Sequence, residues 1–312
     1  MEHYVTLFDS LFLPQGLALH MSMERHACTY TLWILCVDDD AYAALTKLNL
    51  TNVRLLKLSQ LETPELLAAK ASRSKGEYCW TLTPFAPRFV FETDSEVNRV
   101  TYLDADVWLR KNPAPIFREF DTSGKDVLIT DHSYAPEYDQ SATTGQFCVQ
   151  IMTFTRDGGE VVRKWWEERC VEWCFARFED GKFGDQKYLD DWPKRFESFV
   201  HVLDRQEWSQ APWNAARFPF SQCIFYHFHG LRISEGRKID LGPRYGLPNT
   251  LIENVYEPYI VDFTKAINIL NSYEITVTPQ IKKLSAMKLI RRFLSGIYHQ
   301  FWRFHTLNFR KY

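Results

Sequence analysis

The sequence has no run approaching 18 consecutive apolar residues, so no segment is expected to cross a bilayer as a helix. It also lacks a charge excess. The 37 Lys and Arg against 39 Asp and Glu leave −2, which selects neither a nucleic acid nor an acidic partner. Paired metal-site cysteines are missing too, because Cys170-x3-Cys174 has no second pair. Seven scattered cysteines are an odd set for a disulfide framework, so reduced thiols in a cytoplasmic protein are the expectation. The opening MEHYVTLFDS shows neither a basic start nor an apolar stretch, and no secretory signal is expected. Internal repeats and low-complexity linkers are absent. What remains is an ordinary globular composition, 46% apolar and 24% charged over 312 residues. A chain of that length buries roughly 75% of its unfolded surface. One catalytic-sized domain over 1–265 followed by a tail over 266–312 fits better than two equal domains.

The charge is unevenly placed. Residues 281–312 carry Lys282, Lys283, Lys288, Arg291, Arg292, Arg303, Arg310 and Lys311 and no acid. Between them Leu284, Met287, Leu289, Ile290, Phe293, Leu294, Ile297, Phe301, Trp302 and Phe304 recur at near-helical spacing. Basic residues on one face and aromatic or aliphatic ones on the other describe a helix lying in a membrane interface. A C-terminal helix packed on the domain is the alternative. The tail has no stacking platform or module motif for nucleic acid, so none is expected as a partner. The expected location is cytoplasmic, with peripheral attachment to the inner face of the membrane through this tail.

Strand and helix patterns alternate through the first third. Strands are expected at Tyr4–Phe8, Thr31–Val37, Val53–Leu58 and Arg99–Leu103. Helices are expected at Gly16–Glu24, Ala41–Leu48, Leu66–Ser74 and Trp80–Glu92. That alternation predicts an α/β fold with a mostly parallel sheet flanked by helices. Further on, Asp126–Thr130 and Phe147–Phe154 read as strands, Gly159–Arg177 as a long helix, and 205–250 as irregular. Ligands of such sheets bind beyond the carboxyl ends of the strands, where Asp9 and Asp104 fall.

The strongest local signal is Tyr102-Leu103-Asp104-Ala105-Asp106-Val107. Two carboxylates one residue apart at the end of an apolar strand suit a shared hard cation such as Mn²⁺ or Mg²⁺, which takes oxygen ligands and can bridge a diphosphate. A solvated loop start is the plainer reading of the same tripeptide.

With the Pro-containing loop that follows, through Phe117, this segment resembles the GT-A fold glycosyltransferases, most closely the family-8-like nucleotide-sugar transferases. The resemblance spans residues 4–235, about three quarters of the chain. It implies a GT-A, Rossmann-like sheet with Asp104 and Asp106 as metal ligands. Asp9, Ser10 and Phe12 match the loop that grips nucleobase and ribose. Asp185 and Gln186 match the Asp-Gln pair that retaining members place beside the donor's anomeric carbon, although Asp185 is equally a helix N-cap by its setting. His227 and Gly230 match the His-aromatic-x-Gly that supplies the third metal ligand. Asp131 falls where the family contacts donor or acceptor sugar.

Three departures stand out. Ile233 occupies the family's phosphate-binding Lys position, leaving Arg232, Arg237 or Lys238 to supply charge. Tyr78-Cys79-Trp80-Thr81 stands where a donor-binding Arg is expected, with Lys70 and Arg73 as substitutes. Thr143-Thr144-Gly145 replaces Asn-x-Gly. The implied function is transfer of a sugar from a nucleoside-diphosphate donor, a UDP-sugar by first expectation, to a glycan or lipid-linked acceptor hydroxyl. Retention of configuration and a role in surface polysaccharide or lipopolysaccharide synthesis complete the expectation. The alternatives are a sugar-phosphate nucleotidyltransferase, for which Leu13-Pro14-Gln15-Gly16 is a poor nucleotide loop, and a non-catalytic carbohydrate binder.

Overall fold

β1 (Glu2–Phe8) and β2 (Tyr30–Cys36) send alternate side chains to opposite faces. Val5, Leu7, Trp33 and Leu35 enter one core, while Tyr4, Phe8, Leu32 and Ile34 enter another. Strands apolar at consecutive positions must be covered on both faces, and these are. The computed structural model describes residues 1–234, 238–241, 245–278, 280 and 306–308.

Down the chain follow β3 (Val53–Lys57), β4 (Arg99–Leu103), β5 (Val107–Leu109), β6 (Val127–Asp131), β7 (Phe147–Thr155), β8 (Val200–Val202), β9 (Ser209–Gln210) and β10 (Phe225–His227). The central sheet has the order β3-β2-β1-β4-β7-β6-β8. β7 runs antiparallel to β4 and β6, and every other neighbouring pair in that sheet is parallel. The expected α/β architecture, mostly parallel and flanked by helices, is therefore the one observed. There is a second sheet, β5-β10-β9, and a third of β11 (Arg232–Ser234), β12 (Lys238–Asp240) and β13 (Thr306–Asn308); β9 to β12 lie in what the sequence suggested was irregular chain, and β13 lies in the tail.

The helices are α1 (Leu13–His26), α2 (Asp39–Leu48), α3 (Pro64–Ala71), α4 (Lys75–Leu82), α5 (Phe85–Thr93), α6 (Ala114–Ser123), α7 (Glu160–Glu172) and α8 (Glu257–Ser272), besides shorter turns. The single helix expected over 80–92 is two, because α4 starts earlier at a Ser74–Glu77 capping box and Pro84 occupies the N-cap of α5. α7 stops at Glu172, since Trp173 has extended backbone. α8 runs through the expected division at residue 265, so that boundary falls inside a helix. The basic tail helix expected over 281–312 lies outside the described residues, apart from 306–308, which form a strand.

α8 backs the second sheet. Phe228 stacks on Tyr259 with ring centroids 3.6 Å apart, and the Trp108 indole donates to Asp262 Oδ2 at 2.8 Å. Arg25 of α1 pairs with the same Asp262. Phe228 and Tyr259 are fully buried, and each such side chain contributes roughly 2–3 kcal/mol. This packing holds β10 beside β5. All seven cysteines are free. No helix among the described residues is long and apolar enough to cross a membrane.

Candidate active site

β4 ends at Leu103, and the chain turns at once. Asp104 N–H still donates to Gln150 of β7 at 3.1 Å, while Val107 N–H closes the turn onto Asp104 C=O at 3.1 Å. Ala105 is buried inside that turn, so Asp104 and Asp106 flank it and β5 begins immediately. In the β5–β10 ladder His227 lies opposite Val107, and Phe228 N–H donates to Asp106 C=O at 2.9 Å. His227 Nε2 consequently sits 3.0 Å from Asp106 Oδ1 and 3.7 Å from Asp104 Oδ2. A ligand atom from each of the three residues lies within 4.8 Å of the others. Carboxylates and histidine far apart in sequence have converged.

The imidazole is oriented from behind. Gln150 Nε2 donates to Ser209 Oγ at 2.6 Å, which turns Gln150 Oε1 toward His227 Nδ1 at 2.8 Å. Nδ1 donates to that oxygen, and Nε2 faces the carboxylates. Such an outer partner fixes the tautomer that a metal requires. Trp213 meets the same ring edge-on, with centroids 5.5 Å apart. Burial pulls the His227 pKa down, but the two carboxylates more than compensate and raise it. Burial pushes Asp106 up, and the imidazole outweighs it, holding Asp106 well below the usual carboxylate range. Asp104 moves the other way, raised by burial and by Asp106 against the pull of His227. Two carboxylate oxygens and one imidazole nitrogen form a donor set that fits a divalent cation.

The loop after β1 borders this centre. Asp9 accepts Leu11 N–H at 3.0 Å, and Ser10 donates through Oγ to Asp38 Oδ2 at 2.9 Å. Arg232 holds its guanidinium 5.0 Å from the Phe12 ring centroid and Nη1 3.7 Å from Asp106 Oδ2. It spans the distance between the expected nucleobase loop and the carboxylates. Ile233 is buried, so it offers no substitute for the missing lysine. Gly230 has φ +82° with open space where a Cβ would stand. The side chains of Arg237 and Lys238 lie outside the described residues. Lys70 and Arg73 are held by other partners. Lys70 pairs with Glu62 at 2.7 Å, and Arg73 is held by Thr81 and the Val171 carbonyl. Lys75, the first residue of α4, is the cation that reaches Asp9, at 2.7 Å.

Asp185 is 2% exposed, and its Oδ2 has no hydrogen-bond partner among the described residues. Its side chain makes no capping bond to the short helix after it. Burial pushes its carboxyl up to about 7; the Thr83 hydroxyl opposes the shift and the Asp104 charge adds to it. The Trp166 indole donates to the Asp185 carbonyl at 2.8 Å, and the Tyr102 hydroxyl donates to Asp104 Oδ1 at 2.9 Å. Gln186 Nε2 donates to Thr144 C=O at 2.7 Å, tying it to the central loop. Gly145 there has φ +117°, and a Cβ would meet Asp190 Oδ1 at 3.3 Å. Asp131 is engaged within its own loop, accepting from Ser133 N–H at 2.6 Å and Gln146 Nε2 at 3.0 Å. Gln150, Ser209, Lys75, Thr83 and Trp213 escaped the sequence reading. Gln150 alone left a signal there, as the one amide inside the apolar run FCVQIMTF.

The architecture defines the chain's class first: it has the GT-A fold of glycosyltransferases. It superposes on the galactosyltransferase LgtC in complex with donor and acceptor sugar analogues with a TM-score of 0.52, at 15% identity, over 89% of this chain and 98% of that one. The chain belongs to the family of YfnF of Bacillus subtilis (strain 168), an uncharacterized protein 30% identical over 85% of this chain and 94% of its own length. YfnD of the same organism, also uncharacterized, is 29% identical over 86% of this chain and 91% of its own. No protein-family model matches the sequence.

Proposed function

We propose that the protein is a metal-dependent glycosyltransferase that moves a sugar from a nucleoside-diphosphate donor to a glycan or glycolipid hydroxyl. The observation that carries this reading is the convergence of Asp104, Asp106 and His227 at the carboxyl rim of a GT-A sheet. Mn²⁺ or Mg²⁺ held there would neutralise charge on the departing diphosphate. Asp9, Ser10 and Phe12 bind the nucleoside, with a UDP-sugar as the first candidate. Arg232, stretched from Phe12 to Asp106, adds fixed positive charge along the path the diphosphate must take. Preorganised charge of this kind is worth most where the leaving group develops its own.

Asp185 and Gln186 flank the reacting carbon. The bond from the anomeric carbon to the diphosphate breaks, a bond to the acceptor oxygen forms, and the acceptor proton passes to the diphosphate. Retention follows if both events share one face of the sugar. The Asp-Gln pair supports that outcome. The basic tail supports contact with an anionic membrane surface by composition, and a lipid-linked acceptor of surface polysaccharide synthesis fits it.

Thermal shift with UDP, GDP, CDP and ADP, each with and without Mn²⁺, tests the reading. A ligand that binds the native state raises its stability as RT ln(1 + [L]/Kd). At least one diphosphate should raise Tm only when Mn²⁺ is present, and the matching nucleotide sugar should then release that diphosphate on turnover. Release of pyrophosphate from a nucleoside triphosphate and sugar phosphate would overturn it.

A further inference from the structure

The rim holds a charge cluster that the metal centre does not use. Lys75, the first residue of α4, places Nζ 2.7 Å from Asp9 Oδ2 and 3.1 Å from Asp38 Oδ2. The remaining oxygens are committed to backbone: Asp9 Oδ1 accepts Leu11 N–H at 3.0 Å, and Asp38 Oδ1 accepts Ser10 N–H at 3.0 Å and Ala41 N–H at 2.9 Å. One ammonium thus ties together the end of β1, the start of α2 and the start of α4.

Two features set this apart from an ordinary surface ion pair. The first is its depth, since the Asp9 side chain is 9% exposed while that of Lys75 is 54% exposed. The cation reaches inward from solvent to a carboxylate that is almost covered. The second is the helix that carries it. The capping box at Ser74 and Glu77 fixes the start of α4, and residues four apart share a helix face. Cys79 lies one turn on, close enough for Asp9 and Lys75 to act on its thiol, and Thr83, just past the helix end, stands beside Asp185. One edge of α4 therefore runs from the nucleoside loop to the sugar end of the cleft.

We propose that Lys75 is a positioning residue for the nucleobase, holding Asp9 against the repulsion of Asp38 so that its carboxylate accepts a ring N–H of the base. An ionised carboxylate only accepts hydrogen bonds. It matches the ring N–H of uracil or guanine and opposes the lone pair that cytosine and adenine present at that place. The proposal rests on the nucleotide-sugar reading above and adds a residue that supplies base selectivity to it.

Isothermal titration of the full chain with UDP, GDP, CDP and ADP in Mn²⁺ tests it, comparing wild type with Lys75→Met, Lys75→Gln and Lys75→Arg. Wild type should bind UDP or GDP at least ten times more tightly than CDP and ADP. Lys75→Met and Lys75→Gln should weaken the preferred diphosphate about tenfold and shrink that ratio, while Lys75→Arg should restore both. Lys57→Met, which removes the nearby 3.2 Å pair with Asp39, should leave the ratio unchanged. If wild type discriminates and both neutral variants keep its affinity and ratio, Lys75 is only a surface tie and this proposal fails alone. If wild type binds none of the four, the nucleotide-sugar reading fails and takes this one with it.

Discussion

Two clusters of one histidine and two carboxylates stand among the described residues, and they behave as opposites. Asp104, Asp106 and His227 meet between two sheets. Glu119, His201 and Asp204 meet at the edge of the central sheet, beside a surface cavity of about 470 Å³ lined also by Arg118 and Trp208. In the edge cluster Glu119 Oε1 already accepts His201 Nε2 at 2.9 Å and Asp204 N–H at 2.7 Å. Its carboxylate is consumed in fastening α6 to β8 and the chain beyond. In the rim cluster Gln150 fixes the imidazole from behind, which leaves Nε2 and both carboxylates facing one point. Residue type and proximity are the same in the two places. What differs is whether other groups have already taken the donor atoms and fixed their direction.

The sharpest way to break that contrast is to remove a rim carboxylate. Asp106→Asn should lower turnover about a thousandfold, because loss of a single group stabilising transition-state charge commonly costs about 10²–10³. Loss of Mn²⁺ binding, followed by electron paramagnetic resonance, should accompany it. A variant that keeps both would remove the centre from the reaction. Gln150→Ala comes next, with an expected loss of about 10–100-fold in metal affinity, the usual range for an outer partner of a metal-binding histidine. Metal affinity equal to that of wild type would show that the ring needs no support from behind.

Asp185 offers a smaller, pH-dependent effect. Its pKa in the folded protein, about 7, lies above the ordinary aspartate value of 3.8. An acid so raised contributes stability that is present in full below pH 3.8 and is lost as pH climbs through about 7. Metal-free Asp185→Asn should therefore lose less Tm than wild type between pH 5 and pH 8, and parallel melting curves would contradict the assignment. Smallest of all is His201→Ala. It should leave turnover unchanged and cost about 1 kcal/mol or less in chemical denaturation, as expected for a partly exposed pair. A large loss of activity there would erase the distinction between the clusters.

The central sheet was legible in the sequence because its strands are buried on both faces and read as unbroken apolar runs, as TLWILCV does over Thr31–Val37. Asp104 and Asp106 were legible because the apolar strand ends where they begin. The second sheet was not. β5 and β9 have three and two residues, too few for alternation to show, yet their pairing is what carries His227 to Asp106. Lys70 and Arg73 lie a few residues before Tyr78–Thr81, where the cation is expected, whereas a capping box starts α4 at Lys75 and directs that cation to the rim. Partners such as Gln150 and Ser209 depend on contacts 59 residues apart, which no local pattern encodes.

The reversed direction of β7 bears on where the chain tolerates change. Because β7 opposes β6, the two join as a hairpin whose connecting residues, 132–146, emerge at the same end of the sheet at which Asp104 leaves β4. A parallel β7 would have required that stretch to travel back along the sheet as a crossover, locked into the packing. Here the middle of the connection, residues 136–144, is exposed or half-buried and can lengthen, shorten or change composition, while His132, Ser133, Ala135 and Gly145 at its two ends are buried. Changes confined to that middle leave the sheet and the buried ends of the connection as they are.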